Sequence, residues 1–183
     1  MRSAAPLAAL PDRIWIVGPC GSGKSTLATK LAAHLGVEPT HVDEIFHQPG
    51  WTEAPPEQVH ARLREVTARQ RWVIDGNYRR FRTSYVDKIQ LYVFLDLPLY
   101  VTFPRLVRRG VLRSVREETC CNGNRETLAR TFLDRESLLL WALTGSVQRL
   151  PSLRRHVLAH PHVRLRSQRA ADRWLAGVLA ERP

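Results

Sequence analysis

The sequence predicts an α/β fold: a parallel β-sheet with helices packed on both faces. Three observations carry this expectation. Short apolar runs at 13–17, 72–74, 89–95 and 162–165 have the length and β-branched or aromatic content of buried strands. Stretches between them repeat apolar residues every three or four positions, as amphipathic helices do, and such alternation implies βαβ units. Several runs close on a glycine loop or an acid, Gly18, Asp75 and Asp96, at the strand ends where parallel sheets bind ligands.

Arg13 to Val17 reads as the first strand, and the glycine-rich Gly18 to Ser25 comes directly after it. Thr26 to Leu35 reads as a helix. Leu27, Leu31 and Leu35 recur every four residues, and Gly36 stands at the C-cap. Thr40 to Asp43 is read as a short second strand. A loop with Pro49, Gly50, Pro55 and Pro56 leads into a helix marked by Val59, Leu63 and Val66, with one of the last two prolines in its first turn. Trp72, Val73 and Ile74 form the third strand, ending at Asp75. Ile89 to Leu95 forms the fourth, ending at Asp96. Pro98 opens a helix carrying Leu99, Phe103 and Leu106, which Pro104 is expected to kink or restart. A long helix is expected from Asn124, as N-cap, to Leu143, and Pro151 is expected to interrupt the chain beyond it. His162 to Leu165 is the fifth strand. Ala171, Trp174, Leu175, Val178 and Leu179 mark a final helix. No repeat or low-complexity linker divides the chain, so residues 1–183 are read as one domain.

Composition narrows the classes. The chain has 183 residues, of which 44% are hydrophobic and 25% charged, the balance of an ordinary globular domain. No stretch approaches the ~18 consecutive apolar residues of a membrane span. Met1 to Leu10 is apolar but short, carries only Arg2, and reads as a ragged start and not a signal peptide. Three cysteines, two of them adjacent, cannot form a disulfide framework, which fits a reducing, cytoplasmic setting. Lys+Arg is 28 against 17 Asp+Glu, a net charge of +11, and all the basic residues but Lys24, Lys30 and Lys88 are arginine. That excess suits phosphates, nucleotides or nucleic acid. Arginines coating helices and a GC-rich coding sequence are competing sources of it.

Gly18-Pro19-Cys20-Gly21-Ser22-Gly23-Lys24-Ser25-Thr26 satisfies G-x-x-x-x-G-K-[ST] in full, between a strand and a helix. Gly18, Gly21 and Gly23 let the backbone curl so that successive N–H groups, with those of Ser22 and Thr26, form an anion nest. The following helix adds the positive end of its dipole. Lys24 then reaches the terminal phosphates and Ser25 ligates Mg²⁺, so ATP and Mg²⁺ are the expected cofactors.

Through this loop and the segments beyond it, the chain resembles the adenylate-kinase-like branch of P-loop proteins. Within that branch it is similar to small bacterial proteins labelled topology modulation proteins or AAA-family ATPases. The resemblance runs from about Ile14 to Trp174. It rests on GPCGSGKST at 18–26, VDEIFHQPGW at 42–51, WVIDGNYR at 72–79, LDLP at 95–98, NGNRE at 122–126 and SLLLWAL at 137–143. It implies a P-loop NTPase three-layer αβα sandwich with about five parallel strands, an acceptor-binding segment at about 44–70 and a helical lid at about 105–145.

Asp75 and the residues after it, Gly76 to Arg79, are similar to the D-G-F-P-R stretch of adenylate kinases. That implies a magnesium-organising Asp75 and a substrate-side Arg79, with Arg80 and Arg82 as substitutes. Asp43, read at the end of the second strand, corresponds to an aspartate that kinases resembling shikimate or gluconate kinase place near the attacking hydroxyl. A carboxylate there accepts the hydroxyl proton and repels an acceptor phosphate; an N-cap or Mg²⁺-water role is its alternative. His47 and Trp51 would line the acceptor pocket. Asp96 reads as architecture.

Arg105, Arg109 and Arg113 lie four apart on one helix face. The resemblance makes Arg105 and Arg109 lid arginines that close over the transferred phosphate, with Arg116 and Arg125 as further lid candidates. It places Arg169, after the fifth strand, near the adenine. Cys120 and Cys121 depart from the bulkier residues of relatives and bring the lid geometry into question.

These readings converge on an Mg-ATP-dependent phosphotransferase acting on a small-molecule hydroxyl acceptor, as a monomer or homodimer. A nucleoside monophosphate kinase is the alternative acceptor class. A nucleic-acid-associated NTPase is a third reading, ranked lower because the sequence carries no helix-turn-helix, zinc-finger or aromatic-interleaved basic strand.

Overall fold

The computed structural model describes residues 10–125, 143–144 and 148–180. Strands β1 (Arg13–Val17), β2 (Pro39–His41), β3 (Trp72–Asp75), β4 (Leu91–Leu95), β5 (Thr119–Cys120), β6 (Asn124–Arg125) and β7 (His162–Leu165) alternate with helices. The helices are α1 (Lys24–Leu35), α2 (Val42–Phe46), α3 (Pro56–Thr67), α4 (Arg79–Ser84), α5 (Leu99–Val115), α6 (Leu150–Leu158) and α7 (Gln168–Ala180). Five strands form one parallel sheet in the order β2-β3-β1-β4-β7, and β5 and β6 make a separate antiparallel hairpin.

The sheet has two different faces because its side chains alternate. Trp15, Val17, Trp72, Ile74, Tyr92 and Phe94 point to one side, where Phe46, Val59, Leu63, Phe81 and Val157 cover them. Ile14, Ile16, Val73, Leu91, Val93 and Leu95 point to the other, against Leu27, Leu31 and Leu35 of α1 and Ala171, Leu175 and Val178 of α7. One face is therefore aromatic and the other aliphatic. Trp15 and Trp72 meet edge to face with centroids 6.4 Å apart, a contact worth about 0.5–1.5 kcal/mol beyond its buried area.

Five expected boundaries move. The second strand stops at His41 and the chain enters α2, which places Asp43 in a first helical turn. The reason is packing: Val42 and Phe46, at helical spacing, are both buried in the aromatic face. The fourth strand starts at Leu91, not Ile89, because the Ile89 amide closes the turn before it, donating to the Val86 carbonyl. Helix α5 runs unbroken through Pro104. The carbonyl deprived of a donor is that of Tyr100, an exposed residue. Pro151 opens α6 and does not interrupt it. Asn124 lies in β6 and caps no helix at that point. The rest of the helix expected to Leu143 falls largely on 126–142, outside the described residues, as does the apolar start at 1–9.

Among the described residues, no helix is long and apolar enough to cross a membrane, and all three cysteines are free. Asp96, at the end of β4, is buried and held by Arg154 at 2.8 Å and Arg164 at 2.5 Å. This is the architectural role expected of it.

On the aromatic face, Tyr92 and His156 lie within hydrogen-bonding distance at 3.2 Å. Burial, followed by the positive charges of Arg82, His160 and Arg79, pushes the His156 pKa down to about 4. In the unfolded chain it returns to about 6.5. Between these values the unfolded state binds more protons, so stability falls as pH drops from 6.5 toward 4. Thermal unfolding of wild type and His156→Gln across pH 4–7 is expected to give a smaller acid-side loss in the variant. Parallel profiles would contradict the assignment.

Candidate active site

The glycine loop is shaped by its surroundings. A side-chain carbon on Gly18 would lie 2.6 Å from the Leu95 carbonyl oxygen, and one on Gly21 would lie 2.5 Å from that of Thr102. Gly21 also has φ +76°, so the loop is pressed against α5 where only glycine fits. Gly23, in the left-handed conformation, starts α1. Ser22 is buried, and its Oγ has no hydrogen-bond partner among the described residues. Lys24 Nζ donates to the Pro19 carbonyl across the loop at 3.2 Å. Thr26 lies exposed in the first turn of α1.

The end of β3 organises the rim. Asp75 is buried and accepts from Ser25 Oγ at 2.9 Å through Oδ2, while His41 Nδ1 stands 2.5 Å from Oδ1. The hydrogen bond to Asp75 raises the His41 pKa against the opposing effect of burial. Gly76 receives a bond from Trp15 Nε1 at 3.0 Å. Asn77 grips the loop twice: its Oδ1 accepts from the Gly18 amide at 3.1 Å and its Nδ2 donates to the Gly18 carbonyl at 2.6 Å.

Ser25 and Asp75 offer a hydroxyl and a carboxylate side by side at the start of α1. Hard oxygen donors, few in number, fit magnesium completed by phosphate oxygens and waters. Among the described residues, no group of three or more His, Cys, Asp or Glu side chains is arranged to hold a metal by itself.

Asp43 is exposed on α2, next to Val42, which packs closely against Gly76 at the end of β3. Burial raises the Cys20 pKa, and the charges of Lys24, Asp43, Arg109 and Arg149 all act on that thiol. Tyr78 sits behind Asp43. Its pKa is raised, first by burial and then by the negative charge of Asp43, and its hydroxyl lies 3.3 Å from His47 Nε2. His47 and Trp51 stack edge to face at 5.4 Å.

The expected arginines divide. Arg109 is half-buried on α5, its Nε without an acceptor among the described residues. Arg105 donates to Gln168 at 2.8 Å, next to exposed Arg169 at the start of α7. Arg79 opens α4, and its charge is felt at Arg82 and His156 under the aromatic face. Arg82 is fully buried there and donates to the Asn77 carbonyl at 3.3 Å. Arg116 and Arg125 stand apart, in exposed pairs with Glu118 at 3.5 Å and Glu117 at 3.1 Å.

Three side chains at this rim were not singled out by sequence: His41, Asn77 and Tyr78. Asn77 and Tyr78 lie inside a motif already picked for its acid and its arginine. His41 carried no signal beyond preceding the Val-Asp pair.

No model of a known protein family matches the sequence, and no curated protein matches it. Solved structures do match. Shikimate kinase from Acinetobacter baumannii in complex with shikimate has 20% identity and a TM-score of 0.56, over 91% of this chain and 90% of that one. A sugar kinase from Janibacter sp. HTCC2649 has 18% identity and a TM-score of 0.52, over 93% and 94%. A gluconokinase from Sinorhizobium meliloti 1021 has 18% identity and a TM-score of 0.51, over 94% and 93%. The chain shares the fold of these solved kinases, an α/β sandwich on a five-stranded parallel sheet.

Asn77→Ala removes both side-chain bonds to Gly18. The loss expected in urea denaturation is about 1–3 kcal/mol, the usual penalty for stranding buried polar groups. A change within about 0.5 kcal/mol, the range of a neutral surface substitution, would show that the clamp does not hold the loop.

Proposed function

We propose that the protein transfers the γ-phosphoryl group of Mg-ATP to a hydroxyl of a small molecule. The observation that carries this reading is the placement of Asp43. It is an exposed carboxylate on α2, next to Val42, which packs closely against Gly76 beside Asp75. The structural neighbours support the acceptor class, since they are named for shikimate, a sugar and gluconate.

In this reading the loop amides and Lys24 bind the phosphates, and Lys24 leaves the Pro19 carbonyl to do so. Ser25 and Asp75 hold Mg²⁺, with His41 fixing the carboxylate from its other oxygen. Bound magnesium supplies charge neutralisation on the phosphates. Asp43 holds the acceptor hydroxyl in line and takes its proton as the new P–O bond forms and ADP departs. Arg109, facing the loop from α5, stabilises charge on the transferred group. Arg105 and Arg169 frame the corner beyond β7, where the resemblance places the nucleotide base. Arg79 is assigned to the acceptor side. Arg116 and Arg125 reach the phosphates only if they release Glu118 and Glu117. The acceptor segment at 44–70 and a lid within 105–145 are the working divisions of the single domain. The narrower likeness to proteins labelled topology modulation proteins adds no acceptor chemistry.

The test is Mg-ATP consumption across hydroxyl metabolites, nucleosides and nucleoside monophosphates, with duplex DNA as a separate addition. One small hydroxyl compound is expected to raise turnover well above background. Lys24→Ala is expected to lower that turnover by about 10²-fold or more, and Asp43→Asn by about 10²–10⁴-fold. Stimulation by monophosphates alone would transfer the assignment to the nucleotide kinases. Stimulation by DNA alone, or a silent Asp43→Asn, would sink the small-molecule reading.

A further inference from the structure

Helix α2 carries Asp43 in its first turn but is only five residues long. A helix that short has no intrahelical partners for its last carbonyls and little stability of its own. The turn between β5 and β6 supplies what it lacks. Asn122 Nδ2 donates to the carbonyls of Glu44 at 2.6 Å and His47 at 2.7 Å. Asn124 Nδ2 donates to the Gln48 carbonyl at 2.9 Å, and its Oδ1 accepts from the Trp51 amide at 2.9 Å. Trp51 Nε1 donates in turn to the Arg125 carbonyl at 3.3 Å. Asn124 is buried, whereas Arg125 of the hairpin pairs with Glu117, and Arg116 just before it pairs with Glu118.

We propose that Asn122 and Asn124 are positioning residues that latch the β5–β6 hairpin onto the 44–51 segment. They thereby fix the helix that aims Asp43 at the acceptor. The hairpin then works on the acceptor side of the site and not as a phosphate clamp. Cys121, at the same turn, has its pKa raised by the Cys120 thiol and by burial, with Asp43 and Glu44 adding to the effect. The catalytic part of this proposal rests on the phosphotransfer reading, but the latch does not.

Asn122 has φ +58°, so alanine there would strain the turn as well as remove the amide. Asn122→Gly keeps the turn and deletes only the side chain. The double variant Asn122→Gly/Asn124→Ala is compared with wild type by hydrogen exchange, MgADP titration and Mg-ATP hydrolysis with water as the acceptor. Exchange over 42–52 is expected to quicken by about tenfold or more, as local opening predicts. Exchange over 18–27 and the MgADP Kd are expected to stay within about twofold, the limit for an uncoupled site. Hydrolysis is expected to rise several-fold as water gains the acceptor side. Unchanged exchange over 42–52 would overturn the latch. A MgADP Kd weakened more than about fivefold, the scale of real coupling, would instead place the hairpin on the nucleotide side; unchanged hydrolysis would remove its effect on the acceptor. Failure of the phosphotransfer reading would show separately, as wild-type turnover that Lys24→Ala leaves intact.

Discussion

Three consecutive residues, Asp75, Gly76 and Asn77, tie the rim of this molecule together. Asp75 joins Ser25 of α1 to His41 of β2. Gly76 anchors the Trp15 indole from the aromatic face, and its amide donates to the Ile16 carbonyl. Asn77 fixes Gly18 through both its amide and its carbonyl. The end of β3 is thus bonded to the strand on either side and to the loop between. The buried Asp75 carboxylate is costly to desolvate, and two donors aimed at its two oxygens are what make it tolerable. Gly76 has no alternative: its φ is +147°, and a side-chain carbon would meet Val42 at 2.9 Å. That contact links the rim directly to α2 and so to Asp43.

The two faces of the sheet divide the labour. The aliphatic face packs α1 and α7, the helices that follow the glycine loop and β7. The aromatic face packs α2, α3, α4 and α6, which carry Asp43, Arg79 and the His156 cluster. The glycine loop and the Asp43 helix are therefore supported by different cores. They meet where β1 and β3 end.

The strands were readable because buried parallel strands leave an unambiguous apolar run; β1, β3 and β7 lie where the residues predicted them. The glycine loop was readable because its backbone geometry restricts residue type at Gly18, Gly21 and Gly23. The features that escaped were decided by contacts distant in sequence. Val-Asp after His41 reads equally well as strand or helix, and only the burial of Val42 and Phe46 together selects α2. Asn124 has the type of a helix cap, but its amide is taken by Gln48 and Trp51 more than 70 positions away. His41 shows the same limit, since its role exists only through Asp75.

The arginine excess takes on a different meaning once the side chains are placed. A surface built for a polyanion would cluster its cations without counterions on one face. Here several are committed elsewhere. Arg154 and Arg164 neutralise Asp96, Arg82 is buried under the sheet, and Arg71, Arg62, Arg116 and Arg125 pair with nearby acids. Arg109 differs, being half-buried with its Nε unbonded among the described residues and its charge acting on the loop. The net charge of +11 is therefore a poor guide to the ligand. The few charged groups whose fields reach the Cys20 thiol in the glycine loop, Lys24, Asp43, Arg109 and Arg149, are the better guide. In the proposed phosphotransfer reading, the cations gather phosphates and the acid serves a neutral, hydroxyl-bearing partner.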